Sequence, residues 1–178
     1  MDVHQYLTLA PMFLLLMWAA LIDLRTRRIP NWLTFSLAVA GILQSFLPGQ
    51  HVSPWYSLLG LITGLVLNIG LFALNVRGGG DVKLFAALGA WIGPVLTFQV
   101  FVVSILLAAV GALLQAFVTR RIGALFSNTA MLAVSLANPK ELGMAHVTRP
   151  DGSFRSIGRP VPYAVPVMIA TAIVLAFA

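Results

Sequence analysis

The chain contains no cysteine. That excludes disulfides, a thiol nucleophile and a cysteine-ligated zinc. Histidine is scarce too, and His4, His51 and His146 lie far apart in no ligand spacing, so no zinc site is expected. Charge is the next shortage. Only 9% of the 178 residues are charged, where an ordinary soluble domain carries about 25%. So few charges cannot cover a water-facing surface. With 60% hydrophobic residues and a mean hydropathy of +0.95, lipid is the expected solvent for most of the chain. The length predicts a single bundle over 1–178 with no second folded domain. The first apolar run has no basic segment before it and no small-residue cleavage site after it. It reads as a retained span and not as a signal peptide.

What charge there is has one dominant sign. Eleven Lys and Arg face five Asp and Glu, for a net charge of +6 and a pI near 10.9. A basic balance can signal nucleic acid, but here the cations sit in short clusters between apolar runs. That is the pattern of cytoplasmic loops beside anionic headgroups, and no nucleic-acid partner is expected.

A helix needs about 20 apolar residues to cross a bilayer. The runs predict spans at about 5–22, 32–47, 55–76, 82–93, 95–118 and 161–178. The stretch from Leu84 to Val118 is too long for one span and short for two, but Gly93-Pro94 can turn it. Lys83 and Arg120-Arg121 both belong on the cytoplasmic side, so the chain should cross twice between them, with an unusually short outgoing crossing. Ile122 to Ala137 carries an apolar stripe at helical spacing and reads as an amphipathic helix within a cytoplasmic loop, 120–160. Six crossings with both termini outside place all 11 Lys and Arg in the cytoplasm. The expected fold class is therefore all-α: a polytopic membrane bundle of six transmembrane helices plus a cytoplasmic amphipathic helix.

The five acids are Asp2, Asp23, Asp81, Glu141 and Asp151. Asp2 is terminal, and Glu141 and Asp151 read as solvated loop charges. Asp23 and Asp81 each sit where an apolar span meets the cytoplasmic boundary. A carboxylate is costly there, so such acids usually face the bundle interior and have a task. The topology sets both at one depth. Two carboxylates held close do not both ionise easily. One can act as base toward water while the other, protonated, polarises a scissile carbonyl, without metal or cofactor. The plainer alternative is an interfacial ion pair, or for Asp81 a helix N-cap. Gly78-Gly79-Gly80 directly before Asp81 favours the chemical reading, because glycines allow φ > 0 and close backbone approach beside the acid. It is no phosphate loop, since the glycine spacing and the Lys-Ser/Thr ending are wrong.

Asp23 followed by Arg-Thr-Arg-Arg-Ile-Pro-Asn, then Gly78-Gly79-Gly80-Asp81-Val82-Lys83, resembles the type IV prepilin peptidase family of membrane aspartic peptidases. Pro162-Tyr163-x-x-Pro166 resembles that family's final span. The resemblance runs from about Met12 to the C-terminus. It implies that Asp23 and Asp81 are the catalytic pair, with Gly78 and Gly80 shaping the site. It also implies a bacterial inner-membrane protein that removes the short basic leader from prepilin or pseudopilin precursors at the cytoplasmic face. Larger members carry a domain with paired Cys-x-x-Cys motifs between the first two spans and N-methylate the product. Here only Leu24 to Asn31 lies between those spans, so the likeness is to the short members associated with Flp-type pili.

The same reading places Gly79, Lys83, Pro30 and Asn31 among the site-shaping or substrate-binding residues, with Lys83 as a headgroup or substrate-carboxylate contact. Asn68 and Asn75 are candidates for hydrogen bonds across helices. Trp32 and Trp55 fit interfacial anchoring. Two rival functions use the same residues differently: a small proton-coupled transporter, and a non-catalytic assembly subunit. Homo-oligomerisation stays open on sequence grounds.

Overall fold

A computed structural model describes residues 3–47, 52–73, 78–118 and 163–177. Among them are five helices and no strand: α1 (Val3–Thr26), α2 (Asn31–Gln44), α3 (Pro54–Ala73), α4 (Gly79–Val118) and α5 (Ala164–Phe177). The expected amphipathic helix at 122–137, the loop 120–160, Asn75 and Pro162 lie outside the described residues. So does most of a second compact unit, Ala108–Val161, of which only the end of α4 is described. The account below concerns the first unit, Met1–Leu107 with Pro162–Ala178.

Segments Thr8–Thr26, Pro54–Phe72 and Gly79–Val118 are each long and apolar enough to cross a bilayer. Large apolar side chains such as Leu14, Val66 and Leu106 are exposed on these helices, and Phe35 on α2. A water-facing surface would not tolerate so many, whereas hydrocarbon does. In that medium each main-chain polar group needs an internal partner, which a helix supplies along its own length. The interior is made of Met12 and Leu16 of α1, Leu33 and Leu37 of α2, and Phe85 and Leu88 of α4, with Val167 of α5. α1 packs along α5 and α2, and α2 packs on α3.

Helix α4 is broken by its own sequence. Gly93 takes φ 77°, ψ 175°, and Pro94 follows. Proline disfavours the helical conformation in the residue before it and has no N–H to give. Glycine alone enters this conformation without a Cβ clash. The break is a reversal and not a gentle bend. Phe85 and Phe101 pack edge to face with centroids 5.8 Å apart, whereas a straight helix would separate their Cα atoms by about 24 Å. The two arms, Gly79 to Ile92 and Pro94 to Leu107, therefore lie side by side. The turn expected at Gly93-Pro94 is present.

The reversal leaves the Ala90 carbonyl in need of a donor, and side-chain hydrogen bonds gather around it. Pro94 cannot serve the carbonyl of Ala90, and buried Ser57 Oγ of α3 donates to it at 2.7 Å. Thr97 Oγ1 donates to Gly93 O at 2.5 Å. Trp91 Nε1 donates to Leu37 O of α2 at 2.7 Å. Beside this network the backbones of α3 and α4 nearly touch. A Cβ on Gly60 or Gly89 would fall on the other residue's carbonyl, and one on Gly64 would come within 2.5 Å of Phe85 O. Small residues four apart on facing helices allow such an approach, and dispersion then holds helices together where the hydrophobic effect cannot.

Candidate functional site

The opposite end of the bundle gathers the end of α1, the start of α2, the end of α3 and the starts of α4 and α5. α1 stops by an unusual device. Arg27 adopts φ 54°, a left-handed conformation normally left to glycine, and its N–H donates to Asp23 O at 2.9 Å. That conformation costs a non-glycine residue about 1–2 kcal/mol. It reverses the chain within a few residues. Pro30, with φ −63° and ψ 138°, then caps α2 through its carbonyl, which accepts from Leu33 N and Thr34 N.

This tight link lies against the start of α4. Gly80 faces Ile29, and a Cβ there would sit 3.3 Å from Ile29 Cβ. Lys83 Nζ donates to Asn31 Oδ1 at 3.0 Å. Gly79 faces the Phe72 ring of α3. Gly78 precedes the helix, and its carbonyl accepts from Asp81 N at 3.1 Å and Val82 N at 3.4 Å. The expected benefit of the glycines divides accordingly. Gly79 and Gly80 lie in the first turn of α4 without positive φ. What they provide is close approach.

Asp23 is buried, 5% exposed, in the last turn of α1. Helix dipoles favour cations at that end, so an acid there is not placed for the sake of α1. Its Oδ2 accepts the N–H of Ala164, the first residue of α5, at 3.1 Å. Four N–H groups at a helix start have no partner within the helix, and here a carboxylate from another helix takes one of them. Asp81 is half-buried in the first turn of α4, its carboxylate close above Gly78, where a Cβ would be 3.7 Å from Oδ2.

The predicted residues thus fall at one end of the fold. Asn31 and Lys83 meet directly, Gly80 meets the link through Ile29, and Asp23 is tied to α5. Lys83, expected to contact headgroup or substrate, spends a hydrogen bond on Asn31. Asn68, a candidate for hydrogen bonds across helices, donates Nδ2 to Gly64 O of its own helix at 2.9 Å as one of its contacts. Trp32 is exposed and packs edge to face on Trp18 at 6.2 Å, and Trp55 is exposed as well. Sequence reasoning missed the N–H of Ala164 and the contact of Ile29. A main-chain donor has no residue type to betray it, although Tyr163 and Pro166 around it were legible as a motif. Among the described residues no three His, Cys, Asp or Glu gather to hold a metal ion.

A family model described as the type IV leader peptidase family matches residues 10–113. Neither the curated proteins nor the solved structures returned a match to this chain. The matched stretch contains both motif acids, the glycine run and the reversal of α4, and stops before α5.

Proposed function

Since this chain belongs to the type IV leader peptidase family, we propose that it is a membrane-embedded aspartic endopeptidase in which Asp23 and Asp81 are the catalytic pair. One observation carries the reading. Asp23 is a buried acid at the wrong end of its own helix, oriented by a donor from another, at the end of the bundle where Gly78 to Asp81 begin α4. No packing need of α1 accounts for a carboxylate there, and intramembrane acids are kept for function.

In the proposed reaction one carboxylate takes a proton from water as the water oxygen bonds to the scissile carbonyl carbon. The other, protonated, donates to the carbonyl oxygen and stabilises the charge that develops on it. Collapse of the tetrahedral intermediate breaks the C–N bond: the leaving nitrogen receives the proton held by the first carboxylate, and a hydroxyl proton of the intermediate returns to the second as the new carboxyl group forms. The pair is then ready for another cycle, with no metal in any step.

The substrates are the prepilin-type precursors that the family name implies. We assign the Flp-like subset because only Arg27 to Pro30 joins the first two helices and the chain has no cysteine. There is thus no room between those helices for a methyltransferase domain. Cleavage takes place at the cytoplasmic face of the inner membrane, because Arg25, Arg27, Arg28 and Lys83 flank the acids. Six crossings with both ends periplasmic follow from the cation distribution. The reversal of α4 at Gly93-Pro94 supports them, because it divides the long apolar run from Leu84 to Val118 into two arms.

The test is cleavage of a Flp-type prepilin by purified protein in liposomes, with Asp23→Asn and Asp81→Asn beside wild type and with and without chelator. Shortening of the precursor by wild type alone, unaffected by chelator, is expected. Cleavage by either Asn variant removes that acid from the mechanism, and a proton-flux assay would then decide for the transporter.

A further inference from the structure

The donor that orients Asp23 is itself held in place. Ala164 is the first residue of α5, and Tyr163 immediately precedes it. The Tyr163 carbonyl accepts from Val167 N at 3.3 Å, so this residue caps the helix whose N–H reaches Asp23. Its phenol oxygen lies 2.6 Å from Ser104 Oγ, on the second arm of α4. Ser104 is fully buried, and its hydroxyl also lies 2.9 Å from Phe101 O. A carbonyl can only accept, so the assignment that satisfies both contacts has Ser104 donating to Phe101 O and the Tyr163 hydroxyl donating to Ser104 Oγ.

This is a specific side-chain contact between the start of α5 and another helix. The remainder of α5 packs through Val167, Ala170, Val174 and Leu175. Apolar contacts of this kind permit small slides along a neighbour, whereas a hydrogen bond between two side chains does not. One slide of the helix start would carry the Ala164 N–H away from the Asp23 carboxylate.

We propose that Ser104 and Tyr163 are positioning residues for Asp23: their hydroxyl contact sets the start of α5 so that the Ala164 N–H holds the Asp23 carboxylate in its working orientation. The inference rests on the reading of Asp23 as catalytic. Neither hydroxyl touches substrate. The contribution is geometric, and misplacement of a catalytic group by about 1 Å can cost about 100-fold in rate.

The experiment compares Tyr163→Phe, Ser104→Ala and the double variant with wild type, measuring kcat and KM for a Flp-type prepilin in liposomes and thermal unfolding in detergent. Each single variant should lower kcat by about tenfold with KM unchanged. The double variant should be no slower than the slower single, because both changes remove one contact. Wild-type kcat in the single variants overturns the proposal. So does a loss confined to KM, or one that multiplies in the double variant. Should Tyr163→Phe fail to fold, Ser104→Ala carries the same test. Asp23→Asn in the same assay separates the two readings. An active Asp23→Asn overturns the catalytic reading and this one with it, whereas an inactive Asp23→Asn beside an unimpaired Tyr163→Phe sinks only this one.

Discussion

Where α4 reverses, Ser57, Trp91 and Thr97 each give a proton to a main-chain carbonyl, and every one of those donors is neutral. At the other end of the bundle the relation is turned round: a buried carboxylate accepts from a main-chain N–H, and a lysine binds an asparagine across the gap between two helices. The first end contains what a broken helix in hydrocarbon requires, because the Ala90 carbonyl that Pro94 leaves free is satisfied by Ser57, while Thr97 and Trp91 add neutral bonds to the Gly93 and Leu37 carbonyls. The second contains more than its backbone requires. A serine or threonine could cap α5 as well as Asp23 does, without bringing an ionisable group into an apolar bundle. A polar group that answers a backbone need is structural, and an acid in excess of that need is the better candidate for chemistry.

The sharpest way to break this comparison is Asp23→Asn. The amide keeps an oxygen that can accept from Ala164 N–H, so the fold should survive with its melting temperature nearly unchanged. Cleavage should fall by about 10²–10⁴-fold, the usual worth of a general acid or base. A large loss of stability with residual cleavage per folded molecule would instead make Asp23 a structural cap.

Substitutions at the reversal end should act in the opposite sense. Gly60→Val drives a side chain into the Gly89 carbonyl, a main-chain group that cannot swing aside, so α3 and α4 must separate. A loss of about 3 kcal/mol or more is expected, at the upper end of overpacking, with loss of the monodisperse peak on size exclusion in detergent. Ser57→Ala strips the Ala90 carbonyl of the donor that stands in for the missing N–H of Pro94. It should cost about 1–3 kcal/mol in chemical or thermal unfolding while the folded fraction cleaves at the wild-type rate.

The smallest change sharpens the site end. Asn31→Ala removes an exposed hydrogen bond worth about 0.5–1.5 kcal/mol. Stability should hardly move, and cleavage should fall several-fold because the link carrying Ile29 is no longer pinned to Lys83. Unchanged cleavage would leave that contact as surface decoration.

Much of this was legible before any coordinates. Hydropathy marked the apolar helices to within a few residues, because the cost of placing charge in lipid is local to each run. Asp23, Gly78 to Asp81 and Lys83 stood out because ionisable groups and glycine clusters are rare in such a chain. Gly93-Pro94 was readable as a turn because proline constrains its predecessor whatever surrounds it. The purpose of Gly79 and Gly80 was only half legible. Glycine offers both positive φ and close approach, and only the proximity of Phe72 and Ile29 shows which is used.

By itself, then, the sequence determined the solvent, the helical class, the reversal of α4 and the pair of acids to suspect. All of these follow from properties of single residues or adjacent ones. The tertiary structure alone decided that Ser57 reaches the carbonyl Pro94 leaves free, that Asn31 meets Lys83, and that Asp23 is held by the first N–H of α5. Each of those joins groups distant in the chain, and only the packing of helices decides which donors and acceptors share the dry interior.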